Sequence, residues 1–107
     1  MKKILLLLSV FAFNFLFSQL TKTFTVGGTL RKAVLFEPTI KSEKTLVIFV
    51  FHGHGGNAEF ASRKIDFQNY DKKALVVFME GIPGTSGYVF DKKGLLDGWQ
   101  MFPNDHG

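Results

Sequence analysis

Two stretches of this chain past its first residues are continuously apolar, and the polar and glycine-rich spacing between them predicts the elements. Residues 45–51 run Thr-Leu-Val-Ile-Phe-Val-Phe without alternation, and residues 74–79 run Ala-Leu-Val-Val-Phe-Met in the same way. Continuous apolarity over five to seven residues is how a parallel strand covered on both faces reads, so both are predicted to be central. Ahead of them residues 23–26 alternate, Gly27-Gly28 is a two-residue turn signal, and residues 29–37 return as a second strand that stops at Pro38. Residues 41–44 are a polar connector. Asn57 is a predicted helix cap, with Phe60, Ala61 and Ile65 giving an imperfect apolar stripe through about Asp66. After Glu80 the glycines at 81, 84, 87, 94 and 98, with Pro83, predict loop. A hairpin followed by one strand-helix-strand unit places the chain in the α/β class.

The amino terminus has a different pattern. Lys2 and Lys3 precede an apolar run over residues 4–17 broken only by Ser9 and Asn14, and polarity returns at Ser18-Gln19. That is the layout of a secretory signal peptide, residues 1–18, and the run is shorter than the roughly 20 residues of a bilayer crossing. The expected location is therefore extracellular or periplasmic, with no membrane association once the leader is gone. Its removal also lowers the net charge, because 11 basic residues then face 9 acidic ones where the whole chain has 13. The remaining charges are scattered, with no basic stripe, which argues against a nucleic-acid partner. The absence of cysteine excludes disulfides and thiolate metal sites.

The stretch with most chemical content is His52-Gly53-His54-Gly55-Gly56-Asn57, directly after the first apolar strand. Small residues at the carboxyl end of a buried strand, just before a helix, leave backbone N–H groups able to receive negative charge. His52 and His54, two residues apart, point to opposite sides of an extended chain, which is poor chelating geometry, and no metal or other cofactor is expected.

Taken with residues 30–38, Glu80-Gly81-Ile82-Pro83-Gly84 and Gly98-Trp99-Gln100, this stretch resembles the secreted α/β-hydrolase esterases of the polyhydroxybutyrate depolymerase and feruloyl esterase family, over residues 23–107. The resemblance implies a serine esterase acting on carboxylic esters of polymer or polysaccharide origin. It also implies that residues 52–56 form the oxyanion-hole loop, with the N–H of His54, aided by Gly55, as donor and the His52 imidazole orienting the loop. Trp99 becomes a candidate wall of an aromatic substrate cleft, with a core plug as its plainer role.

The catalytic residues of such an enzyme are missing. The fold needs a nucleophile in a G-x-S-x-G elbow, then an acid, then a histidine, in that order. Gly84-Thr85-Ser86-Gly87 has its second glycine one residue early and sits in a loop after Pro83, so Ser86 reads as a turn serine. His106, beside the carboxyl terminus, reads as a polar tail residue. Residues 19–107 thus read as the amino-terminal, incomplete part of an α/β-hydrolase domain, expected to be poorly soluble alone and inactive on p-nitrophenyl acetate.

Two alternatives stay open. Gly53-His54-Gly55-Gly56-Asn57-Ala58 fits G-x-G-x-x-A between a strand and a helix, with Glu80 as a ribose ligand of a dinucleotide site. The preceding hairpin, His52 at the strand exit and the export signal weigh against it. Tyr88, Phe90, Trp99 and Phe102 could instead give an exported module flat faces for sugar rings. Glu80 itself reads either as a carboxylate capping a loop or as part of the site wall.

Overall fold

The computed structural model describes residues 19–84, 89–100 and 103–105. The expected leader lies outside them. In chain order the elements are β1 (Gln19–Val26), β2 (Thr29–Phe36), β3 (Val47–Phe51), α1 (Ala58–Lys64), α2 (Phe67–Tyr70) and β4 (Leu75–Met79). The four strands make one mixed sheet in the order β1-β2-β4-β3, with β2 antiparallel to β1 and to β4, and β3 parallel to β4. The α/β class predicted from the pattern is the observed one.

The hairpin turns where the glycines put it. Gly27 and Gly28 both have positive φ, 55° and 79°, the combination a type I′ two-residue turn demands and that side-chain-bearing residues resist. β1 begins at Gln19, four residues ahead of the predicted start, because Gln19 to Lys22 pair with Phe36 to Ala33. Their mostly polar side chains hid an edge strand. The helix is broken as well: Ile65 leaves helical conformation at ψ 96°, and a second single turn, α2, starts at Phe67.

Alternate residues of β2, β3 and β4 share one face, and there Val34, Phe36, Val50, Val76 and Phe78 meet Ala58 and Ala61 of α1, with Ile48 packed alongside. Phe78, wholly buried, meets Phe36 edge to face at 5.8 Å. Burying one such ring stabilises by about 1.5–3 kcal/mol. Alanines on α1 let the short helix approach the sheet closely.

Both continuous apolar strands are predicted to be central, and β4 is: it lies between β2 and β3 with Val76, Val77 and Phe78 all buried. For β3 the prediction is corrected. Among the described residues it has a strand on one side only, and its burial alternates, with Val50 buried but Val47, Phe49 and Phe51 exposed. Continuous apolarity records that both faces suit burial; it does not record what covers them.

Candidate functional site

The carboxyl ends of the parallel pair β3 and β4 lie side by side, since Phe51 is in register with Met79. The chain leaves β3 at His52 and leaves β4 at Glu80, so two loops meet at one edge of the sheet, where ligands of α/β folds bind.

His52 joins them. Its buried ring accepts the Gly81 N–H at Nε2, 2.8 Å away, and a backbone N–H can only donate. The imidazole proton is therefore on Nδ1, which donates to the Gly53 carbonyl at 2.7 Å. The Gly56 N–H donates to that same carbonyl at 2.9 Å and closes the glycine turn. A side chain at Gly56 would press on this arrangement, because an added Cβ would lie 3.1 Å from the Gly53 oxygen and 3.3 Å from His52 Nδ1. Gly81 is tighter still, with the Gly98 backbone crossing over it in the Ile82–Gly98 bridge.

Trp99 stands behind the loop. Its indole Nε1–H donates to the His52 carbonyl at 2.8 Å, and its ring packs on Phe51 and His52 with centroids 4.9 and 5.0 Å away. A groove of about 380 Å³ opens between the loop and α1, lined by Phe51, His54, Gly55, Phe60, Lys64 and Ile65 among others. Trp99 is not part of that lining. The half-buried Trp99 braces the strand end and the loop, and the groove's aromatic lining is Phe51 and Phe60.

Several donors of the loop and of the start of α1 are already engaged. Gly55, the expected second oxyanion donor, gives its N–H to the Asp97 carbonyl at 2.7 Å. The Phe60 N–H goes to the Asn57 cap at 2.7 Å, as the sequence predicts. The Ala58 N–H goes to the Glu80 carboxylate, whose other oxygen lies 3.7 Å from Lys32 Nζ. Glu80 thus places a negative charge at the start of α1, where it suits the dipole.

The His54 ring meets a residue that the sequence did not single out. Its Nε2–H donates to Asp91 Oδ2 at 2.7 Å, with side chains only 7% and 4% exposed, and Phe90 stands edge-on to the ring at 5.5 Å. Asp91 also accepts the N–H of Leu95 at Oδ1, 2.8 Å, and of Leu96 at Oδ2, 3.1 Å. Aspartate at the first and glycine at the fourth position of Asp91-Lys92-Lys93-Gly94 is a turn signal that the sequence does carry, and the Gly94 N–H bonds to the Asp91 carbonyl at 3.1 Å. Its partner 37 residues away has no such signal. The rings of His52 and His54 thus hydrogen-bond to different partners.

Burial works to raise the Asp91 pKa, but the hydrogen bonds from His54, Leu95 and Leu96, with the charge on His54, outweigh it and hold the carboxyl below its ordinary 3.8. A depressed carboxylate contributes stability that is present above the unfolded pKa and lost as pH falls through the folded one. The Asp91 carboxyl carbon, followed by NMR, is expected to titrate below pH 3.8, with contacts between the two loops lost in the same range; titration at or above 3.8 refutes the pairing.

Of the remaining sequence candidates, Phe90 is exposed, while Ser86, Tyr88, Phe102 and His106 lie outside the described residues. Comparison with protein-family models, with curated proteins and with solved structures finds no match.

Proposed function

We propose that this chain is the amino-terminal portion of a secreted carboxylic-ester hydrolase, with residues 52–56 as its oxyanion loop. One observation carries the reading: the glycine turn lies between the third strand and the first helix, at the carboxyl end of a parallel strand and beside an apolar groove. In α/β-hydrolases the loop after the third strand supplies one N–H of the oxyanion hole. Ester hydrolysis moves charge onto the carbonyl oxygen, and N–H groups fixed beforehand stabilise it by roughly 3 kcal/mol per donor. The His52 ring, tied to Gly53 and Gly81, supplies that fixity. His54 is the proposed donor, and Gly55 joins it only when Asp97 releases its N–H. Phe51, Phe60 and Ile65 suit the apolar part of an acyl group, with Lys64 at the rim.

The alternatives draw less support. A dinucleotide phosphate would compete with Glu80, whose own carboxylate already takes the first N–H of α1. Sugar stacking loses Trp99, which packs against Phe51 and His52.

The readings separate in one titration. Ferulate, a product carboxylate, is expected to shift the His54 amide in the ¹⁵N spectrum, whereas NAD and xylan oligosaccharides leave the loop unmoved. A response to NAD alone or to xylan alone replaces the esterase reading with the corresponding alternative. No turnover of p-nitrophenyl acetate is expected; turnover that disappears on Ser86→Ala overturns the absence of a nucleophile.

A further inference from the structure

The segment from Asp91 to Trp99 crosses the glycine loop and touches it repeatedly. Asp97 takes the Gly55 N–H, Trp99 donates to the His52 carbonyl, and the Leu96 Cδ1 atom would lie 3.3 Å from a Cβ at Gly55. The buried pair His54–Asp91 brings a charged group into these contacts. Asp91 acts on both partners of the Gly55–Asp97 hydrogen bond. On one side it holds the His54 ring, next in the chain to Gly55. On the other it takes the N–H groups of Leu95 and Leu96 and so shapes the turn that presents the Asp97 carbonyl.

We infer that Asp91 is a positioning residue for the loop, and that through His54 and the Leu95–Leu96 turn it sets whether the Gly55 N–H is held by Asp97 or offered to an oxyanion. The word oxyanion rests on the esterase reading; the coupling of Asp91 to Gly55 does not. The physical basis is that one N–H serves one strong acceptor at a time. An anion that takes the Gly55 N–H must displace the Asp97 carbonyl, so binding at that N–H and release of the crossing segment share one equilibrium. Both Asp91 oxygens accept, Oδ1 from Leu95 and Oδ2 from His54 and Leu96. An amide at this position turns one acceptor into a donor that faces the His54 N–H or a backbone N–H.

Amide hydrogen exchange on the chain tests this residue by residue. Asp91→Asn is expected to speed exchange at Gly55 by about tenfold or more, while β4 and the Gly81 amide, bonded to His52, keep their protection, because the opening is local. His54→Gln, which keeps the carboxylate, is expected to do the same. Unchanged Gly55 exchange in both variants overturns the inference, as does equal loss of protection at Gly55, Gly81 and β4 in both, the mark of a merely structural pair. The ferulate titration separates the two proposals. Faster Gly55 exchange in the variants with no ferulate response leaves the positioning role standing and removes the esterase reading. A His54 response to ferulate with unchanged Gly55 exchange does the reverse.

Discussion

His52→Ala is expected to destabilise the chain by roughly 3 kcal/mol and to melt the glycine loop before the sheet. The Gly81 N–H would lose its acceptor in a buried setting, which alone costs about 1–3 kcal/mol, and the Gly53 carbonyl would lose one of its two donors, keeping the Gly56 N–H. Loss of the ring also leaves a hole against Trp99. A small domain has about 5–15 kcal/mol of stability in total, so the effect is large. Urea unfolding gives the magnitude, and the single tryptophan gives the place, since Trp99 bonds to the His52 carbonyl and its emission should move to the red. His52→Gln is expected to recover part of the loss, because its amide offers one acceptor and one donor. A loss below about 0.5 kcal/mol for His52→Ala, the size of an ordinary surface substitution, would show that the ring does not hold the two loops together.

How far the sequence anticipates this arrangement depends on whether the signal is local. The hairpin turn was legible because Gly27-Gly28 supplies two positive φ angles that few other residue pairs adopt. The Asn57 cap was legible because its acceptor lies three residues from its donor. The glycine turn could be placed for the same reason, as Gly53 and Gly56 close it between themselves. The far half of the site was not legible. Asp91 meets His54 across 37 residues and Gly81 meets His52 across 29, and neither pairing leaves a periodic trace in the chain. Gly55 shows the limit clearly: its residue type permits an oxyanion donor, but where its N–H points is set by Asp97, which only the folded chain brings near. Trp99 is legible as an aromatic near the site, but its contacts with Phe51 and His52 are again set by the fold.

The same distinction governs β3, where Phe49→Lys is expected to convert a self-associating chain into a monomer. Leu46 to Phe51 is six residues of high strand propensity with no charge, proline or glycine, and it lies at the edge of the described sheet. Such an edge offers unpaired N–H and C=O groups to another chain, and natural proteins protect it with charge or cover. Here Phe49 is 59% exposed and Phe51 58%, so the open hydrogen-bonding edge has an open apolar face beside it. In a complete α/β sheet, further strands and helices would cover both, and the proposed esterase identity calls for that cover. Lysine at position 49 should not unfold the domain, because Val50 and Ile48 face the core and Phe49 does not. It would place a charge at the centre of the open face, where any second strand and its side chains must pack. Light scattering across a concentration series is the measurement: aggregates are expected for the parent and monomer for the variant, with melting temperature nearly unchanged. A parent chain that stays monomeric at high concentration would mean that something already covers β3, and an associating Phe49→Lys variant would move the contact to the exposed Val26 and Leu30 at the hairpin tip.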